Sequence, residues 1–330
     1  MAAEKAELSV ADCCRALRVS PSGFYAWRQR PESARTVRDG ELRVAIRASH
    51  EASHRHYGRP RVWKDLREAG ERVSEKRVGR LMREAGLRAR ARKRFRSTTM
   101  SEHDQPVAAN VLDRRFDAER PNQRWVGDTT EFVIGSSSKL YLAAILDLYS
   151  RFVVGWALSA VNDRHLTLRA LDMALKRRCP DAGLLHHSDQ GCTYASEDYR
   201  MRLEQHGITC SMSRRGNCYD NAVMESWFST VKSEEGARFE SYAHAKEALF
   251  DYIEVFYNQR RRHSTLGQIS PAAFERQAAM DAAGAVDAQN APTAPWKTAK
   301  NAGSHSAHSH PRYLLENNKT KSDRLSQPVH

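Results

Sequence analysis

Near residue 122 the hydrophobic rhythm of this chain changes from the period of helices to the two-residue period of strands, and that change limits what the chain can fold into. In Arg124–Ile134 the alternate residues Val126, Asp128, Thr130, Phe132 and Ile134 share one face of an extended strand. Leu140–Leu148 and Phe152–Leu158, joined through Tyr149-Ser-Arg151, read as a hairpin of nearly continuous apolar strands. A helix over about Arg164–Arg178, a strand Leu184–His187, a helix Ser196–His206 and a strand Ile208–Ser213 follow. Three antiparallel strands and then alternating helices and strands is the element order of an RNase H-like α/β core, a mixed five-stranded sheet with flanking helices, here over residues 122–277.

The segment ahead of that core is all-α. Ser9 can cap a helix over Val10–Leu17, and Ser20-Pro21 supplies an N-cap and a first-turn proline ahead of Phe24, Tyr25 and Trp27. This is helix-turn-helix spacing over residues 1–34, with Tyr25, Arg28 and Arg30 on the second helix as DNA contacts. A small helical hairpin of no further function has the same spacing. A second helical module covers residues 35–97: one helix opens at Tyr57-Gly-Arg-Pro and runs to Gly70, and Ser74 caps another with Val78, Leu81 and Met82 as its buried stripe and Gly86 as its stop. It ends in Arg88-Ala-Arg-Ala-Arg-Lys-Arg-Phe-Arg96, where Arg92, Lys93 and Arg94 centre a basic arm. A charge run is commonly only a solvated face, but behind two helical modules it is better read as contacting phosphates.

Charge supports that reading. Residues 1–100 hold 25 Lys and Arg against 12 Asp and Glu, an excess equal to the +13 net charge of the whole chain. An excess confined to one region marks a polyanion-binding module, with nucleic acid the expected polyanion. Residues 98–121 read as a polar linker, and 278–330, rich in Ala, Ser, Asn, His and Pro, as a low-complexity, disordered or loosely helical tail. The tail histidines His305, His308 and His310 are incidental to that composition. The six cysteines form no C-x-x-C pair, which argues against a zinc ribbon or a disulfide framework. No run approaches a membrane span and Met1-Ala-Ala-Glu-Lys lacks a signal peptide's apolar segment, so a cytoplasmic protein is expected.

Three carboxylates carry the chemistry: Asp128 in Trp125-Val-Gly-Asp, Asp189 in His187-Ser-Asp-Gln-Gly, and Glu225, which lies 36 positions beyond Asp189. Acidic residues are abundant and most are solvated surface. These three, delivered by a strand, a strand end and a helix, suit a two-metal phosphoryl-transfer site, which needs hard oxygen ligands from separate elements. The helix that opens at Asp220 or Asn221 and ends at Glu235-Gly236 buries Val223, Trp227 and Val231, and its opposite face carries Asn221, Glu225, Ser229 and Lys232. Lys232 follows Glu225 by seven residues, which returns it to within about 20° of the same helical face and suits a metal below and a DNA phosphate above. The preceding loop, Ser213-Arg-Arg-Gly-Asn-Cys-Tyr219, offers Arg214 and Arg215 to a strand. A further helix, Tyr242–Arg262, ends in Tyr257-Asn-Gln-Arg-Arg-Arg-His.

Taken together, Trp125-x-x-Asp128-x-Thr130, His187-Ser-Asp-Gln-Gly191, Ser211-Met-Ser-x-x-Gly-Asn-x-x-Asp-Asn221, Glu225-Ser-x-Phe228, Lys232 and Tyr257-Asn-x-x-Arg-x-His263-x-x-Leu-Gly267 resemble the second-reading-frame transposases of the bacterial insertion-sequence-three family, whose catalytic core is similar to that of retroviral integrases. The resemblance runs from about Val10 to Phe274. It implies a DDE-type transposase with an integrase core, in which Asp128, Asp189 and Glu225 hold Mg²⁺ or Mn²⁺, two ions per active site. It implies cleavage and joining of DNA at an element's inverted repeats, target DNA as second substrate, a homo-multimer, and an upstream-frame product as fusion or subunit, although no zipper heptad is present in this chain. Residues alone leave open a non-catalytic DNA-binding regulator or decayed copy, and a nuclease that cuts without joining.

Overall fold

The computed structural model describes residues 9–89, 106–214 and 218–290. Arg92, Lys93, Arg94 and Arg215, all expected to meet DNA, lie outside those residues, as does the tail beyond 290. The chain divides into two units, Met1–Gly284 and Ala285–His330, and only the end of one helix is described in the second.

The expected helix starts form as the caps dictate. Ser9 Oγ accepts from the Asp12 N–H (3.1 Å) to open α1 (Val10–Ala16), and Ser20 Oγ accepts from the Gly23 N–H (3.0 Å) to open α2 (Pro21–Gln29). Then come α3 (Ala34–Ala52), α4 (Arg59–Glu68) and α5 (Glu75–Glu84), the last capped by Ser74 and stopped at Gly86, whose φ of +67° is open to glycine without strain. Their apolar faces do not close on themselves. Leu42, Ile46, Val62 and Leu66 belong to the same buried cluster as Phe132, Trp227 and Phe256 of the later domain.

That later domain is a six-stranded sheet. β1 (Arg124–Ile134), β2 (Ser138–Asp147) and β3 (Val153–Ser159) are antiparallel; α6 (Arg164–Arg178) follows, then β4 (Leu185–Ser188), α7 (Cys192–Ala195), α8 (Glu197–Gln205) and β5 (Thr209–Met212). The strand order is β3-β2-β1-β4-β5, with β4 and β5 parallel to β1. After α9 (Ala222–Glu234) comes β6 (Arg238–Phe239), which pairs with the far end of β1 and is the strand absent from the five-stranded expectation. Two residues are too short to leave a periodic signal. The sheet is covered on both faces: Trp125, Ala143 and Ile145 pack with α6 and α8, while Val126, Phe132 and Ala144 pack with α9. α6 lies so close to β3 that a Cβ on Gly155 would stand 2.2 Å from the Ala170 carbonyl oxygen.

Three expectations are corrected. Residues 106–121 do not run free as a linker: Leu112 is buried, and the Val111 and Leu112 N–H groups donate to Ser211 Oγ (2.9 and 3.1 Å). The expected helix Tyr242–Arg262 is α10 (Tyr242–Phe250) continued by a π-helical stretch, Asp251–Tyr257. Finally, α11 (Pro271–Asn290) carries the helix past the expected boundary at residue 277, anchored by Glu275, which accepts from Arg178 through both oxygens (2.8 and 2.9 Å). No described helix is long and apolar enough to cross a membrane.

Candidate active site

Asp128 sits on β1 with its side chain on the α9 face, in phase with Val126 and Phe132. On its other edge β1 pairs with β4 at Arg124–Val126 and with β6 at Val133–Ile134; among the described residues no strand covers the stretch between. Asp128 therefore stands at a gap in the sheet. β4 runs parallel to β1 and ends at Ser188, and its register, carried two residues past the last pair, brings Asp189 alongside Asp128. One carboxylate thus sits midway along β1 and the other just past the carboxyl end of the parallel strand β4, side by side where β4 stops. The Thr129 N–H donates to Asp128 Oδ1 (2.7 Å), and the Gly191 N–H donates to Asp189 Oδ1 (3.0 Å).

The third carboxylate comes from α9, which packs on this part of β1 through Met224, Trp227, Phe228 and Val231. Glu225 and Lys232 lie on one face of α9, as their spacing requires, but that face is not simply solvated. Lys232 is partly buried, its Nζ 5.5 Å from the centre of the Phe132 ring on β1. Both Glu225 and Lys232 therefore look toward the strand that carries Asp128.

Electrostatics ties the group together. Burial pushes the Asp128 carboxyl well above its ordinary value; the negative charge of Asp189 adds to this, and that of Glu225 contributes less, against the Thr129 N–H and Lys232, which lower it. Burial also raises Glu225 and lowers Lys232, the latter opposed by Glu131 and Asp128. Among the described residues no three His, Cys, Asp or Glu side chains are gathered closely enough to hold a metal ion, so the acids are charge-coupled neighbours and not a closed ligand set. Their chemistry still fits a hard divalent cation. They supply oxygens only, from three elements, and a cation would offset the charge that burial first, and the neighbouring acids second, make costly at Asp128.

Behind the acids lies an apolar wall with neutral polar groups. Burial drives His186 down to about 3 and His187 down to about 4, so neither carries charge at neutral pH. His187 bonds through its ring to Ser211 Oγ (2.9 Å) and Ser213 Oγ (3.1 Å), which fixes β4 against β5 at the end where Asp189 leaves. A Cβ on Gly127 would stand 3.1 Å from the His186 ring, so glycine lets β1 approach β4 beside Asp128.

The start of α9 departs from expectation. Asn221 occupies the cap position, yet its side chain makes no capping bond. Asp220 is buried and caps nothing on α9. It accepts from the Arg214 N–H, Nε and Nη2 (3.0 Å each), Arg114 Nε (3.0 Å) and Asn110 Nδ2 (2.8 Å), and these partners hold its carboxyl far below the ordinary range. Arg214, expected to meet DNA, thus has its charge answered within the protein by Asp220 and by Asp113 of the 106–121 segment (3.3 Å). Tyr25, Arg28 and Arg30 are exposed on α2 and in the turn after it.

Residue patterns also left the motif at Tyr257 without a role, and the structure supplies one. Asn258 is fully buried: Val153 N–H donates to its Oδ1 (2.9 Å) and its Nδ2 donates to the Val153 carbonyl (3.2 Å), where the β2–β3 ladder slips register. Arg261 donates from Nε (2.8 Å) and Nη2 (2.7 Å) to Glu234 at the end of α9, and Tyr252 OH donates to the same carboxylate (2.7 Å). Arg262 donates to Asp65 (2.6 Å) and to Glu68 on α4 (3.0 and 2.5 Å), while Tyr57 OH donates to the Arg260 carbonyl (3.1 Å) and accepts from the Arg262 N–H (2.8 Å). One short segment braces β3, α9 and the second helical module.

Comparison with known proteins agrees with this architecture. Residues 118–218 and 206–271 match family models described as Integrase core domain, and residues 37–95 match one described as HTH-like domain. An insertion element IS600 uncharacterized 31 kDa protein of Shigella sonnei is 44% identical over 266 residues, covering 80% of this chain and 97% of that protein. Transposase InsF for insertion sequence IS3A of Escherichia coli (strain K12) is 39% identical over 277 residues, covering 83% of this chain and 96% of the relative. With full-length relatives at this identity, a helix-turn-helix-like module and an integrase core in the same order, the chain belongs to the IS3 family of insertion-sequence transposases.

Proposed function

We propose that this transposase cleaves and joins DNA at the inverted-repeat ends of its element by divalent-metal-dependent phosphoryl transfer, with Asp128, Asp189 and Glu225 as the DDE triad holding Mg²⁺ or Mn²⁺, two ions per site. The observation that carries this reading is the placement of three acids from three elements around one gap in the sheet: Asp128 on β1, Asp189 brought alongside it by the register of β4, and Glu225 on the helix packed over β1, their charges acting on the Asp128 carboxyl. Asp128, Asp189 and Glu225 would hold the ions, which when bound would supply Lewis-acid activation of an attacking oxygen and stabilisation of the leaving one.

The chain's own groups do the remaining work. The N–H groups of Thr129 and Gly191 orient the two aspartates, and the brace at Glu234 and Arg261 sets the end of α9. Lys232 offsets phosphate charge beside the acids, its stem lying on Phe132. Tyr25, Arg28 and Arg30 meet the element end, and Arg92, Lys93, Arg94 and Arg215 add phosphate contacts that raise affinity without reading sequence. Pairing of two element ends requires a homo-multimer, joined by an upstream-frame product as subunit or fusion, acting on cytoplasmic DNA. The test is end-labelled DNA carrying the terminal repeats that flank the gene, incubated with the purified protein and Mg²⁺ or Mn²⁺. Nicked ends and joined products are expected, both abolished by a chelator. Cleavage that persists in the chelator, or no cleavage with either metal and the upstream-frame product present, contradicts the reading.

A further inference from the structure

We propose that Asn221 and the first turn of α9 form a binding site for a single DNA phosphate beside Glu225. Asn221 is 6% exposed, and among the described residues neither Nδ2 nor Oδ1 has a hydrogen-bond partner. A buried primary amide offers two donors and two acceptor positions, and leaving them unmet is costly. The residue is nevertheless held firmly, because its neighbour Asp220 is fixed by Arg214, Arg114 and Asn110. The backbone thus keeps in place a side chain that stabilises nothing within the described fold.

Its position says what it awaits. Asn221 stands at the cap of a 13-residue helix whose first turn receives no side-chain cap. The N-terminal end of a helix carries partial positive charge and unbonded N–H groups, which favour an anion. Asn221 precedes Glu225 by four residues, so both lie on one helical face, the one turned toward Asp128. The anion that reaches this face is a phosphodiester of the strand being cut. Its non-bridging oxygen accepts from Nδ2, and a water carried with it donates to Oδ1. This inference rests on the DNA-cleaving reading given above.

The probe is duplex DNA of the element end, unmodified or with one phosphate near the cleavage position replaced by an uncharged methylphosphonate, tried at each position in turn. Binding is measured without divalent metal, cleavage with Mg²⁺, and melting temperature in parallel. Asn221→Ala should weaken binding and kcat/KM by about 10- to 100-fold, the range of a hydrogen bond to a charged group. Its melting temperature should hold or rise, since the change deletes two unsatisfied buried atoms. Asn221→Asp, equal in size, should do worse than Ala by opposing the phosphate. At one position the methylphosphonate should impair the wild type strongly and Asn221→Ala hardly at all. Equal methylphosphonate sensitivity of wild type and Asn221→Ala at every position, or a loss of activity that tracks a fall in melting temperature, overturns the inference. Should wild-type protein fail to cleave, the metal-free binding comparison still decides it.

Discussion

Replacing Arg261 with methionine tests whether the segment after the π-helical stretch holds the end of α9. Arg261 and Glu234 have side chains only 4% and 9% exposed, and the arginine donates two hydrogen bonds to that carboxylate beside the one from Tyr252. Methionine keeps much of the buried stem and removes the guanidinium, which takes away the carboxylate's cationic partner and two of its hydrogen bonds. Removing one partner of a buried pair costs about 3–5 kcal/mol. At about 2–4 °C per kcal/mol for a chain of this class, the melting temperature should fall by roughly 6–20 °C. Adding Glu234→Met removes the stranded charge and should recover part of the loss, so the double variant is more stable than the sum of the singles implies. The pH dependence has a definite sign. Burial alone would raise Glu234, but Arg261 outweighs it and holds the carboxyl below its ordinary 4.5. The pair's stabilisation is therefore present above about pH 4.5 and lost as pH falls through the depressed value, so wild type and variant should converge in acid. Urea and thermal unfolding between about pH 2 and 8 measure this. A cost under about 1 kcal/mol, strict additivity, or a gap that widens in acid would refute the brace.

Asp128→Asn should melt higher than wild type in chelator at pH 8, because the raised carboxyl contributes stability that is present below about 3.8 and lost as pH rises. The difference should vanish in acid, and Mg²⁺ should stabilise wild type but not the variant; a variant that melts lower at pH 8 contradicts the charge coupling. Lys232→Ala should cost about 0.5–1 kcal/mol through the lost contact with Phe132 and slow end cleavage, with Lys232→Glu slower still. Cleavage rates at two salt concentrations check this, and wild-type rates from both variants would remove Lys232 from the site. Leu112→Ala should destabilise by about 2–4 kcal/mol if residues 106–121 are a docked strap; a change below about 0.5 kcal/mol would restore the free linker.

Local patterns carried much of this architecture. β1 was legible because Val126, Phe132 and Ile134 fall on one face at the two-residue period, and α9 because Trp227 and Val231 recur at helical spacing over a sheet. The serine caps at Ser9, Ser20 and Ser74 were legible because capping is settled within four residues. Distance along the chain hid the rest. Asp220 looks like a cap in sequence, yet its partners include Asn110 and Arg114, more than a hundred residues earlier. Residues 106–121 are polar enough to pass for a linker because much of what fastens them is polar and distant in sequence: backbone N–H groups on Ser211 and the Asn110 and Arg114 side chains on Asp220, beside the buried Leu112. The motif at Tyr257 was recognisable as a string, but its roles at Val153, Glu234 and Asp65 exist only once the chain is folded.

The central claim is that Asp128, Asp189 and Glu225 act as one metal-holding set. The direct measurement is the rate of strand cleavage at the element end in Mg²⁺ by wild type, Asp128→Asn, Asp189→Asn and Glu225→Gln, beside their DNA affinity in chelator. Each variant keeps its size and loses one charge, so folding and binding should stay near wild type while cleavage disappears in all three. Cleavage at the wild-type rate by any one of them would contradict the account.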